Sequence, residues 1–123
     1  MASINPQRAE IWQINFDPQV GSEIQKERPA IILDAGHSTL DVRIAVPITS
    51  WKELRDEQNP FKIYIQPTAG NGLDKECAAD VYQIKSLSLD RFVRKRGYVS
   101  QGKADEVAEA VGLLIDIPPV DAD

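Results

Sequence analysis

Glu23 and Arg28 are the residues whose types and placement best suit chemistry. A carboxylate on a polar loop can take a proton, and a guanidinium at a loop–strand junction offers a planar fork of donors that matches a phosphate. Arg28 stands directly before Pro29, which restricts the backbone that aims it, and the apolar run Ala30-Ile31-Ile32-Leu33 follows at once. Both residues also have plainer readings: Glu23 as a solvated loop carboxylate, Arg28 as a strand-end arginine paired with Glu23 or Glu27. Thr49 and Ser50 end a later apolar stretch. Their hydroxyls can donate to a phosphate oxygen there, and Ser50 can also cap the helix that follows. Gln83 and Lys85 lie near another strand end, either as ligand contacts or as an ordinary exposed strand.

Other reactive residues support less. The one histidine, His37, falls in a turn and reads as solvent-facing. Cys77 has neither a second cysteine nor a histidine close in sequence, so neither a zinc site nor a nucleophilic dyad is supported. Gly70-Asn71-Gly72 is a turn, because a phosphate loop needs wider glycine spacing and a lysine–serine end. No metal or other cofactor is expected.

The elements that must hold these residues can be read from periodicity. Glu10 to Phe16 alternates apolar and polar, which predicts a half-buried strand with Trp12, Ile14 and Phe16 on one face, stopped by Asp17-Pro18. Arg28 to Asp34, Val42 to Ile48, Phe61 to Ile65 and Ala79 to Ile84 read as further strands, and Tyr98-Val99 as a brief last one. Trp51 to Gln58 reads as a short helix capped by Ser50. From Ser100 or Gln101 onward, Ala104, Val107, Ala108, Val111, Leu114 and Ile115 recur at helical spacing, predicting a C-terminal amphipathic helix that Pro118-Pro119 ends. Short strands followed by one helix describe an α+β domain, a small twisted β-barrel with the helix on one side. Residues 1–8 read as a leader, 9–117 as one domain and 118–123 as an acidic tail, with no internal repeat.

A chain of 123 residues can bury a single core without disulfides. No apolar segment near the start resembles a signal peptide or a membrane span, so a cytoplasmic location is expected. The net charge of −5 argues against coating nucleic acid by bulk electrostatics, so any such contact must be local. The basic group Arg91, Arg94, Lys95 and Arg96 reads as a solvated turn beside an acidic helix.

Taken in order, Phe16-Asp17-Pro18, Gly21-Ser22-Glu23, Arg28-Pro29, Val46-Pro47-Ile48-Thr49-Ser50 and Gln83-Ile84-Lys85-Ser86-Leu87 make the chain resemble the MazF/PemK (Kid) toxins of bacterial toxin–antitoxin systems. The likeness runs from about Arg8 to about Ile117. It implies an SH3-like barrel that forms a homodimer and cuts single-stranded RNA, often messenger RNA, without a metal ion. It also implies an antitoxin partner whose acidic, disordered tail occupies the RNA groove.

The resemblance singles out Thr49 beside Arg28 and Glu23. Metal-free cleavage needs a base for the ribose 2′-hydroxyl and charge stabilisation for the phosphorane, and it leaves a 2′,3′-cyclic phosphate and a 5′-hydroxyl. Glu23 is the candidate base, since no histidine pair can share the work, and Arg28 the stabiliser. Ser50, Gln83, Lys85, Lys26 and Phe16 are the candidate RNA contacts; Phe16 can stack on a base, although its alternation with Trp12 and Ile14 favours the core. The loop from Asp17 to Glu27 is expected to open and close over RNA. Two alternatives share the barrel: a CcdB-type gyrase-binding toxin, disfavoured by the lack of an aromatic at the helix end, and a degenerate toxin that only binds antitoxin.

Overall fold

The computed structural model describes residues 4–36 and 39–118. Its elements run β1 (Glu10–Asn15), β2 (Glu27–Ile32), β3 (Val42–Ser50), α1 (Glu53–Asp56), β4 (Lys62–Ile65), β5 (Cys77–Asp80), β6 (Lys85–Ser88), β7 (Phe92–Tyr98) and α2 (Gln101–Leu114). The strands pair antiparallel in the order β4-β5-β3-β2-β1-β7, with β6 also on β3. The sheet curls without closing, because β4 and β7 stay unpaired edges, so it is barrel-like and carries one long helix.

The long strand β3 makes the curl. One edge pairs with β2 through Ala45, Val46 and Pro47; the other pairs with β6 through Val42 to Ala45 and then with β5 from Ile48 to Ser50. Val46 and Pro47 fall between those two partners, so the amide that Pro47 lacks is not needed on that edge. A proline in a central strand is tolerated there and marks the change of partner.

Both faces of the main sheet are buried. On one, Ile11, Ile31, Val46 and Ile48 pack with Ala104, Val107 and Ala110 of α2. On the other, Trp12, Ile14, Phe16, Ala30, Ile32, Ala45 and Leu87 form a second cluster, against which Ile4 and Ile24 pack. The expected alternation of β1 is therefore present, and both periods of burial follow from its pleat.

Several expectations are corrected. The Phe92–Tyr98 segment is a seven-residue strand, not a basic turn with a brief strand after it. The single strand expected over Ala79 to Ile84 ends at Asp80, and a short helical turn at Val81–Gln83 leads into β6. Helix α1 has Lys52, not Ser50, at its N-cap, and the Asp56 carboxylate accepts the Lys52 amide at 2.7 Å. Helix α2 starts at Gln101, one of the two expected starts, and the Ser100 hydroxyl caps it by accepting from the Lys103 amide. It ends before the prolines: the Asp116 amide bonds Leu113 O and the Ile117 amide bonds Gly112 O, with Asp116 in the left-handed region at φ 59°. Its apolar stripe is shifted, since Ala110 is buried and Ile115 exposed. Of residues 4–8, Pro6 is fully buried and its carbonyl accepts from Arg43 Nε at 3.0 Å. His37 and residues 119–123 of the acidic tail lie outside the described residues.

Candidate active site

The pleat places the candidate residues. Pairs across β2 and β3 put Ala30 opposite Pro47 and Ile32 opposite Ala45; Arg28 lies two residues before Ala30, and Thr49 two after Pro47. Both therefore stand on the face that holds the Trp12–Phe16 cluster, at its polar end. Lys85 opposes Ala45 on β6 and shares that face. The face thus ends in a hydroxyl and a guanidinium, while the Lys85 ammonium stands level with Ala45 and Ile32, about 13 Å down the strand from Thr49.

Glu23 reaches this face at Lys85, from the β1–β2 loop. Its Oε2 lies 2.6 Å from Lys85 Nζ, and its Oε1 accepts the Val20 amide at 2.9 Å. The hydrogen bond from Lys85, then that from Val20, lowers its pKa below the ordinary 4.5. Lys85 also donates to Gln19 Oε1. Gln83 secures the loop further: its Oε1 accepts the Ile24 amide at 2.9 Å and its Nε2 donates to Ser22 O at 3.1 Å. The loop expected to swing is thus held down here by Gln83 and Lys85, residues about sixty positions away in the chain.

Arg28 is half-buried and donates from Nε to Gln25 O at 3.0 Å. The Thr49 hydroxyl is buried and has no hydrogen-bond partner among the described residues. Where β2 and β3 part beyond Pro29, a hollow of about 200 Å³ opens, lined by Arg28, Thr49, Ser50, Asp74, Cys77 and Arg96, among others. Ser50 opposes Cys77 and so alternates to the other side of the strand from Thr49. Lys26 is exposed, its amide bonded to Asp17 Oδ1 at 2.8 Å.

Phe16 is corrected as an RNA-stacking residue. Its side chain is fully buried beneath the loop, and no ring face is open to a base. Cys77 is also buried; desolvation raises its thiol pKa, and Sγ contacts Lys75 O at 3.2 Å, as suits an inert core thiol.

Arg96 is the residue that sequence reasoning missed. The pairing of β7 with β1 slips between Ile11↔Gly97 and Trp12↔Lys95, so Arg96 is the extra residue of a bulge. A bulge re-aims a side chain. Here Arg96 turns inward, donating from Nη1 to Gln13 Oε1 at 3.0 Å and from Nη2 to Gly72 O at 2.6 Å, while its buried Nε has no partner. The basic cluster was visible in the sequence; which of its members turned inward was not.

Among the described residues no group of three His, Cys, Asp or Glu side chains is placed to hold a metal ion, and no helix is long and apolar enough to cross a membrane.

Residues 7–115 match the model of the family described as PemK-like, MazF-like toxin of type II toxin–antitoxin systems. Endoribonuclease MazF9 of Mycobacterium tuberculosis is 33% identical over 117 residues, covering 89% of this chain and 96% of that protein. The fold is similar to crystalline MazF from Deinococcus radiodurans, with a TM-score of 0.76 at 22% identity over 94% of this chain and all of that one. A chain of the MazE–MazF structure from the same organism matches with a TM-score of 0.70 at 22% identity, over 94% of this chain and 100% of that chain. The chain belongs to the PemK-like, MazF-like toxin family of type II toxin–antitoxin systems.

Proposed function

We propose that this protein is the toxin of a toxin–antitoxin pair and a metal-independent endoribonuclease acting on single-stranded RNA. The observation that carries the reading is the hollow in which Arg28, the unpartnered Thr49 hydroxyl and Arg96 meet, with the Glu23–Lys85 pair further along the sheet face that Arg28 and Thr49 share. A 33% identical relative named an endoribonuclease supports it.

In the reaction, the ribose 2′-oxygen attacks phosphorus as its proton leaves, the bond to the 5′-oxygen breaks, and the departing 5′-oxygen takes a proton from water. The products are a 2′,3′-cyclic phosphate and a 5′-hydroxyl. Arg28 supplies a fork of donors for the equatorial oxygens, and the unpartnered Thr49 hydroxyl supplies one more. Arg96, on the wall of the same hollow, adds fixed positive charge. Glu23 is ionised and takes the 2′-hydroxyl proton once Lys85 is drawn away. An RNA phosphate competes with Glu23 for that ammonium, so substrate binding itself frees the base. Gln83, Lys26 and Ser50 are secondary contacts along the strand.

The overall acidity does not conflict with this, because the contact is local: Arg28 and Arg96 line one hollow, and Lys85 stands further along the face that carries Arg28. A cognate antitoxin with an acidic tail would complement the same end, and the cytoplasm is where messenger RNA would be met. A homodimer would cover the exposed Val93, Tyr98 and Leu113, and sedimentation at micromolar concentration tests it. The gyrase-binding and degenerate-toxin alternatives are not favoured, since the family match spans residues 7–115.

The test is incubation of the purified protein with one long RNA in single-stranded form and annealed to its complement. The expected result is discrete cuts in the single strand alone. Intact single-stranded RNA, across sequences of varied composition, would overturn the proposal.

A further inference from the structure

The face that carries Arg28 and Thr49 continues across two more strands, and its residues there have no place in either core cluster. Thr49 opposes Ala78 of β5, and Ala78 opposes Tyr64 of β4. Trp51 extends the β3–β5 pairing by one amide bond to Glu76 O at 3.2 Å, which puts Trp51 and Glu76 on the same side. The rings of Trp51 and Tyr64 meet edge to face, 5.1 Å between centroids at 71°. The Tyr64 hydroxyl donates to Glu76 Oε1 at 2.6 Å, which locks the ring from its polar end.

Both rings are half-exposed, and neither belongs to the buried clusters on the two faces of the sheet. Ala78 between them and Thr49 is fully buried, covered by its larger neighbours. Adjacent strands stand about 4.8 Å apart, so Tyr64 lies about 10 Å across the sheet from Thr49, within reach of a base next to a phosphate held by the Thr49 hydroxyl. Two preset aromatic rings at that distance from a phosphate-binding pair match how proteins hold single strands, by stacking bases on rigid rings.

We propose that Tyr64, buttressed by Trp51 and Glu76, is the stacking platform for a base flanking the scissile phosphate, and so helps to set which RNA sequence is cut. The proposal rests on the ribonuclease reading. Base stacking does not require the hydroxyl, so Tyr64→Phe keeps the platform and Tyr64→Leu removes it.

The experiment measures binding to a short single-stranded RNA carrying a mapped cleavage site, 2′-deoxy at the cleaved nucleotide so that it is not cut. In a companion series one flanking nucleotide at a time is abasic. The wild type is expected to lose roughly 5- to 150-fold in affinity at one abasic position, the range for one stacked base. Tyr64→Leu should bind the intact RNA more weakly by the same factor and be indifferent to the abasic site at that position, while Tyr64→Phe should follow the wild type. A wild type insensitive to every abasic position overturns the platform, whether or not the leucine variant folds. So does a Tyr64→Leu profile equal to the wild type, including the case in which that variant weakens only antitoxin binding. If the wild type neither cuts nor binds RNA, the ribonuclease reading has failed, and the platform falls with it.

Discussion

Lys85 Nζ and Glu23 Oε2 lie 2.6 Å apart, joining residues 62 positions distant in the chain and closing the β1–β2 loop over the sheet face at the level of Ala45. The pair is largely solvated, so its value lies in where it holds the carboxylate more than in stability.

Its electrostatic signature is testable. The Lys85 hydrogen bond lowers the Glu23 pKa in the folded state, so the stabilisation it gives is fully present above the ordinary 4.5 and is lost as pH falls through the lowered value. Carboxyl carbon shifts followed by NMR should show Glu23 titrating below 4.5 in the wild type and moving back up in Lys85→Gln. A wild-type Glu23 titrating at 4.5 or above would mean that the ion pair is absent in solution.

Thr49→Val separates function from folding. The hydroxyl is buried and has no partner, so replacing it with a methyl group removes an unsatisfied polar atom at nearly constant shape. Thermal unfolding should show an unchanged or raised Tm, while single-turnover cleavage falls about 10²-fold, the loss of one donor to the transition state. A lowered Tm would reveal a hydrogen bond that the geometry lacks, and unchanged cleavage would remove Thr49 from the chemistry.

Gly72 and Arg96 form a lock beside the site. Gly72 has φ +68°, and a Cβ there would meet the Arg96 carbonyl oxygen at 2.3 Å, while the Arg96 guanidinium grips the Gly72 carbonyl from the other side. Backbone strain and collision together predict that Gly72→Ala costs at least about 2 kcal/mol. Urea unfolding checks this; a loss under about 0.5 kcal/mol would mean that the turn relaxes freely.

What was legible in the sequence depended on the range of the interaction. The alternation of Trp12, Ile14 and Phe16 is a local signal, and it located both β1 and the face that the site shares. Arg28-Pro29 and Thr49-Ser50 were recognisable because each ends a clear apolar strand. Strand β7 was not, because Arg91 to Gly97 lacks alternation: two register shifts against β1 break its period, and basic residues occupy an edge strand. The closure of the loop by Gln83 and Lys85 could not be read either, since nothing local couples them to Ser22, Glu23 and Ile24. The Tyr64–Trp51 pair depends on register across β3, β5 and β4, which no window of sequence contains.

The central claim is that Arg28 drives metal-free cleavage at the end of this sheet face. Long single-stranded RNA incubated with the wild type and with Arg28→Ala in EDTA, with the new ends mapped and their chemistry determined, tests it directly. Arg28 is half-buried, and among the described residues its side chain bonds Gln25 O, so the variant should keep its fold, as circular dichroism would verify. Discrete wild-type cuts ending in 2′,3′-cyclic phosphate and 5′-hydroxyl are expected, reduced at least about 10²-fold in the variant. Cleavage by a folded Arg28→Ala at the wild-type rate, or cuts that require a divalent ion, would contradict it.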